Sequence, residues 1–288
     1  MLLRIFKKHL IDDRYQEAAY EGVSAQTKGW IKKSLALCRN YYRPDLPVSL
    51  SSVAIKIEET LLSTCQEPCH SVVVIYPADY AACTRAVAAT LPAFFAGAEN
   101  VIAVAVEAEG FLNKHPKNST AFKNLASGSY LDYPLNFNLL AAWELAGVEK
   151  VALLPHKQLG EVLNELTRMT RTDSIRIMVL GAPVWLDQVF ALSGNRNFKI
   201  WHEVKPEQIQ IQSGLKHELQ ILKNLHPDIK IKSVEKPSPA VRFLVGDDDY
   251  RLEADHPVLA LGAEYAGCWL WPELKLDFFY SQTVDVGQ

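Results

Sequence analysis

The pattern of apolar and polar positions divides the chain into three textures. Tyr15–Tyr20 and Gly29–Tyr42 carry apolar residues at helical spacing. Arg43-Pro44-Asp45-Leu46-Pro47 interrupts that pattern. Ser51–Cys65 resumes it with Ile55, Ile57, Leu61 and Leu62. Residues 1–70 are therefore expected to form a helical arm. From Val72 the texture changes. Val72-Val73-Val74-Ile75-Tyr76 is a continuous apolar run of the kind buried on both faces of a parallel sheet. Pro77-Ala78-Asp79 turns the chain, Tyr80–Phe95 reads as an alanine-packed helix, and Val101–Val106 as the next strand. Residues 107–134 are a polar excursion, expected as a surface loop or small insertion. Beyond it the pattern predicts helices ending near Gly147, over Gln158–Arg168 and over Val184–Leu192. Strands are predicted at Val151–Leu154, Ile175–Leu180 and Phe198–Val204. In the last third, a helix is expected from Ser213 to Leu225. Ile229–Val234 alternates apolar residues with lysine, which suits an edge strand. Val241–Val245 reads as a strand and Asp247-Asp248-Asp249 as a turn.

A repeat sharpens this reading. Ala96-Gly97-Ala98-Glu99-Asn100-Val101 returns fifty residues later as Ala146-Gly147-Val148-Glu149-Lys150-Val151. Each copy follows a helical pattern and opens a β-branched run. Glycine suits the left-handed residue that closes a helix, because it has no Cβ to clash. Two helix–glycine–strand units predict an α/β fold in which helices cover a mostly parallel sheet. The expected organisation is a helical N-terminal arm (1–70) and two duplicated units (71–135, with the insertion, and 136–204). A C-terminal α/β segment (205–288) completes the fold.

Composition changes this picture little. The net charge of −3 gives no nucleic-acid footprint. No stretch approaches the roughly 20 apolar residues of a membrane span. Met1–His9 lacks the apolar core of a signal peptide. Five cysteines, an odd number, are scattered along the chain and fit a reducing compartment, so a cytoplasmic protein is expected.

Residues 72–194 resemble the histidinol dehydrogenase family. Leu91-Pro92-Ala93-Phe94-Phe95-Ala96-Gly97-Ala98-Glu99-Asn100-Val101 is similar to that family's I-P-A-x-x-A-G-V-x-x-[IV] segment. Leu140-Ala141-Ala142-Trp143-Glu144-Leu145-Ala146-Gly147-Val148 is similar to its L-A-A-A-x-x-A-G-V segment. Without a gap, Gln158 falls on the glutamine of G-G-A-Q and Gly181 on the second glycine of G-P-G-N. The resemblance implies two related, incomplete Rossmann-like units flanking a cleft that holds NAD and substrate. It also implies an oxidation of alcohol to aldehyde to acid, with zinc positioning the substrate and a Glu-His pair as base. On this reading Gln158, Gly181 and Tyr76 are the cofactor-contacting residues. Asp255-His256, similar to the family's P-E-H, supplies the base and its orienting carboxylate. Asp277 is the one residue placed where the family has a zinc aspartate.

The departures from the family are as informative. Pro77-Ala78-Asp79 replaces a P-G-G loop, so the glycines that permit close backbone approach are absent and a negative charge is added. Ala182 replaces an asparagine. No segment between Asn195 and Asp228 matches the family's first two zinc ligands. A zinc site needs three or four converging ligands, and the remaining histidines show no ligand spacing, so bound zinc is not expected. Two functions stay open. One is a zinc-independent NAD(P)-linked oxidoreductase acting on a small polar molecule. The other is a non-catalytic ligand-binding or scaffold protein. An occluded cleft would favour the second. The aromatic tail, with Trp269, Trp271 and Phe278, suits a stacking platform, the packing of a subdomain, or a homodimer contact.

Overall fold

The computed structural model describes residues 2–42, 53–57, 60–107, 135–169, 174–181, 185–253 and 259–287. The elements in chain order begin with α1 (Leu2–Phe6), α2 (Arg14–Gly22), α3 (Ala25–Tyr42), β1 (Val53–Ile57), β2 (Thr60–Pro68), β3 (Ser71–Pro77) and α4 (Cys83–Phe95). There follow β4 (Asn100–Glu107), α5 (Phe137–Ala146), β5 (Lys150–Pro155), α6 (Leu159–Arg168), β6 (Ile175–Val179), α7 (Leu186–Phe190) and β7 (Phe198–His202). The last third holds β8 (Gln208–Gln212), α8 (Lys216–Leu225), β9 (Lys230–Val234), β10 (Phe243–Val245), α9 (Asp248–Leu252), β11 (Leu259–Leu261) and β12 (Tyr280–Gly287).

The apolar runs form a five-stranded parallel sheet in the order β5-β4-β3-β6-β7. β3 is central and buried along almost its whole length. Its side chains alternate between two cores, as strand geometry requires. Val72, Val74 and Tyr76 face α4, α5 and the N-terminal helices. Val73 and Ile75 face α1 and α6. Gly97 and Gly147 both follow helices at positive φ, +88° and +77°. All the strands of the two expected units lie in this one sheet. A second parallel sheet, β11-β10-β8-β9, forms from residues 208–261. Ile209, Ile211, Phe243 and Val245 bury one face of it in the same core as β3.

The N-terminal segment differs from expectation in two ways. Its helices are layered onto the body, with α2 against α5 and α3 against α4. Ala19, Ile31 and Cys38 are fully buried there. Residues 53–57 and 60–68 are strands, not helix; β1 pairs with β2, and β2 with β12, in an antiparallel sheet, Tyr280 opposite Pro68. The apolar alternation Val53-Ile55-Ile57 fits a strand better than a helix. The expected Asp247-Asp248-Asp249 turn is the start of α9, with the Asp247 carboxylate accepting from Tyr250 N at 2.9 Å. The expected insertion at 107–134 lies almost wholly outside the described residues.

Candidate functional site

In an open parallel sheet, ligands bind beyond the strand carboxyl ends where the strand order reverses. Here that point lies between β3 and β6. Pro77 ends β3, the loop after it carries Ala78 to Ala82, and Gly181 follows β6. Gly181 adopts φ +80°, and a Cβ there would lie 3.4 Å from Pro77 and 3.6 Å from Tyr80. Pro77 and Tyr80 thus lie against Gly181 at ordinary packing distance.

A charged cluster adjoins Gly181. Gly181 N donates to Glu203 Oε2 at 2.6 Å, and the Tyr80 hydroxyl donates to the same oxygen at 3.0 Å. Glu203 is the first residue after β7, and its side chain is fully buried. Arg85, in the first turn of α4, has a side chain only 1% exposed, and its Nε lies 3.0 Å from Glu203 Oε1. That contact is an ion pair without hydrogen-bond alignment, since Oε1 has no hydrogen-bond partner. Arg85 Nη2 forks onto Asp228 at 2.7 and 3.0 Å, and Lys205 Nζ reaches Asp228 at 2.6 Å. On the far side of Gly181, its carbonyl meets His202 Nε2 at 2.9 Å. The main chain a ligand would need is held at both ends.

The electrostatics follow from burial and pairing. Burial works against ionising Asp228, but the Arg85 guanidinium and Lys205 outweigh it and hold the carboxyl at about 2. Burial, then the Glu203 charge, pushes the Tyr80 phenol well above its ordinary range. His226 is fully buried, with its ring 4.6 Å from that of Trp269 and neither nitrogen hydrogen-bonded. Burial and the nearby Arg85 charge hold it far below the usual histidine range. Trp269 stacks on Phe243 at 4.5 Å, and Trp271 donates its Nε1 to the Arg85 carbonyl at 3.1 Å. The aromatic tail thus packs inward, at the junction of the two sheets.

The residues expected from sequence are distributed differently. Gly181 is at the switch point. Gln158 ends a short turn before α6 and lines a separate open pocket with Lys8, His9, Glu107, Lys157 and Glu161. β5 and β6 are three strand positions apart, so Gln158 and Gly181 follow strands separated by roughly 14 Å. Tyr76 is turned into the core, 0% exposed, where its hydroxyl accepts from Trp143 Nε1 at 3.1 Å. No dinucleotide can touch that side chain without opening the core. Asp277 is exposed on the turn Leu276–Phe279. Asp255 and His256 lie outside the described residues. Among the described residues, no group of three or more His, Cys, Asp or Glu is arranged to hold a metal.

Arg85, Glu203 and Asp228 were not singled out from sequence. One signal was available: Arg85 is the only charged residue between Asp79 and Glu99, in an otherwise apolar helix. A cavity of about 690 Å³ lies beside this cluster, between the β7–β8 connection and the aromatic tail. Its walls include Phe243, Trp269 and Trp271, and its rim includes Arg242, Glu207 and Glu273.

No protein-family model matches the sequence, and no curated protein matches it. Solved structures do match the fold. Histidinol dehydrogenase from Elizabethkingia anophelis superposes with a TM-score of 0.54 at 10% identity, over 99% of this chain and 79% of that one. A NAD-dependent benzaldehyde dehydrogenase from Corynebacterium glutamicum has a TM-score of 0.44 at 8% identity, over 95% and 82%. Lactaldehyde dehydrogenase from Escherichia coli has a TM-score of 0.40 at 10% identity, and the chain spans 49% of its length. The chain therefore shares, distantly, the α/β dehydrogenase-type fold of histidinol dehydrogenase.

Proposed function

We propose that this chain is a non-catalytic, small-molecule-binding protein built on a dehydrogenase-type fold, with its dinucleotide crevice closed by its own side chains. One observation carries the proposal: the buried Glu203 carboxylate accepts from Gly181 N at 2.6 Å, inside the switch-point crevice. A dinucleotide would have to bring its phosphates to such main-chain N–H groups. Here the N–H is already used by a buried carboxylate, and Pro77 and Tyr80 lie against Gly181. The cavity of about 690 Å³ is the place assigned to a ligand, because its size and mixed lining suit a small organic molecule. The buried, free cysteines Cys38, Cys69, Cys83 and Cys268 support a reducing, cytoplasmic setting.

The other reading, a NAD(P)-linked oxidoreductase, draws support from the fold it shares with histidinol dehydrogenase. Isothermal titration with NAD⁺ and NADP⁺ separates the two. The closed crevice predicts no saturable heat at millimolar dinucleotide. Saturable binding that is lost on replacing Gly181 by valine would restore the oxidoreductase.

A further inference from the structure

The groups around Glu203 have the composition of an oxyanion site. A main-chain N–H and a phenolic hydroxyl both donate to one carboxylate oxygen, and a guanidinium lies 3.0 Å from the other. The two donors and the guanidinium are all buried, where charge-assisted hydrogen bonds are strong and a vacant partner is costly. The anion they hold is carried by the chain itself, on the segment that leads from the five-stranded sheet to the second sheet.

We propose that Gly181 N, Tyr80 Oη and Arg85 form an oxyanion site that Glu203 fills as a built-in ligand, and that the emptied site takes a small monocarboxylate. This deepens the closed-crevice reading and rests on it. Three features support the assignment. One carboxylate oxygen takes two hydrogen bonds and the other lies in ion-pair contact with Arg85, whose Nε–H donates to the Tyr80 hydroxyl at 3.3 Å, so the groups around the carboxylate form one connected set. Gly181 is tied into the main chain on both sides, by Leu180 N donating to the Ile75 carbonyl at 2.9 Å and by its own carbonyl meeting His202 Nε2 at 2.9 Å, which holds this stretch of backbone when the carboxylate is absent. Arg85 is separately anchored through Nη2 to Asp228 at 2.7 Å, so its Nε stays in place as well. A monocarboxylate reproduces the Glu203 headgroup. A dianion such as phosphate brings a second charge that no further cation in the site offsets.

The test is chemical rescue. Glu203→Ala removes the carboxylate and leaves a space of its size. Thermal unfolding is followed for wild type, Glu203→Ala and the isosteric Glu203→Gln, in formate and in chloride at matched ionic strength. Glu203→Ala should melt lower than wild type. Formate should raise its Tm in a saturable way, by about 5 °C over chloride at saturation. Wild type and Glu203→Gln, whose sites are occupied, should respond alike to the two salts. Equal responses of Glu203→Ala to formate and chloride would overturn the proposal. So would a Glu203→Ala chain that formate cannot return to the folded state. If the rescue succeeds while wild type binds NAD⁺ saturably, the anion site stands and the closed-crevice reading fails.

Discussion

Arg85 is where the largest single effect is expected. Its guanidinium is 1% exposed and serves Glu203 and Asp228 together. Removing one partner of a buried pair costs about 3–5 kcal/mol, because the other charge stays buried without compensation. Arg85→Met should therefore lose about that much stability in urea unfolding, although methionine fills much of the space. Arg85→Lys should recover little, since an ammonium cannot fork onto both oxygens of Asp228 while reaching Glu203. The same substitutions should let the Asp228 carboxyl rise from about 2 towards its ordinary value, which carboxyl NMR titration would detect. An Arg85→Met protein as stable as wild type would mean that the cluster is merely tolerated.

At the scale of elements, much was legible and the reasons are local. β3, β4 and β6 announce themselves as largely apolar runs rich in β-branched residues because both faces of the sheet are covered by helices. The helix ends at Gly97 and Gly147 were readable because a positive φ strongly favours one residue type. They can be compared directly. A Cβ at Gly147 meets nothing within 4 Å, so Gly147→Ala should cost only the left-handed strain, about 1–2 kcal/mol. A Cβ at Gly97 would lie 3.3 Å from Pro68, on β2, so Gly97→Ala should cost more. Equal losses in denaturant midpoints would show that the neighbour yields freely. The region 53–68 was misread because its spaced apolar residues were matched to a helix, and its pairing partner, β12, lies more than two hundred residues away. The charged cluster was illegible for a related reason. Tyr80 and Arg85, Glu203, and Asp228 come from three separate places in the sequence, and none has a motif around it. Gln158 and Gly181 stand in a recognisable pattern, yet sheet order separates them.

For the whole molecule, the cluster matters because it sits where the two parallel sheets meet. Arg85 comes from the first sheet's helix layer and Glu203 from the end of β7. Lys205 lies on the connection, His226 and Asp228 lie between α8 and β9, and Trp269 belongs to the tail. This junction should give way to acid in two stages. His226 is buried neutral beside Arg85, with Asp228 the nearby carboxylate and Trp269 against its ring. Its folded pKa lies well below the ordinary 6.5, so the unfolded chain takes up the proton first. Stability is thus full above pH 6.5 and falls as pH drops below it, by about 1.4 kcal/mol per unit until the folded group also titrates. Asp228, held at about 2, contributes stability above its ordinary 3.8 that is lost as pH falls through about 2. His226→Phe separates the stages. The ring keeps its contact with Trp269 and removes two buried nitrogens that have no hydrogen-bond partner, so stability at pH 7 should match or exceed wild type. The loss below pH 6.5 should shrink, while the loss below 3.8 persists. Urea unfolding from pH 8 to 3 tests this. A His226→Phe protein whose stability falls with wild-type slope between pH 6.5 and 5 would place the acid sensitivity elsewhere than at the junction of the sheets.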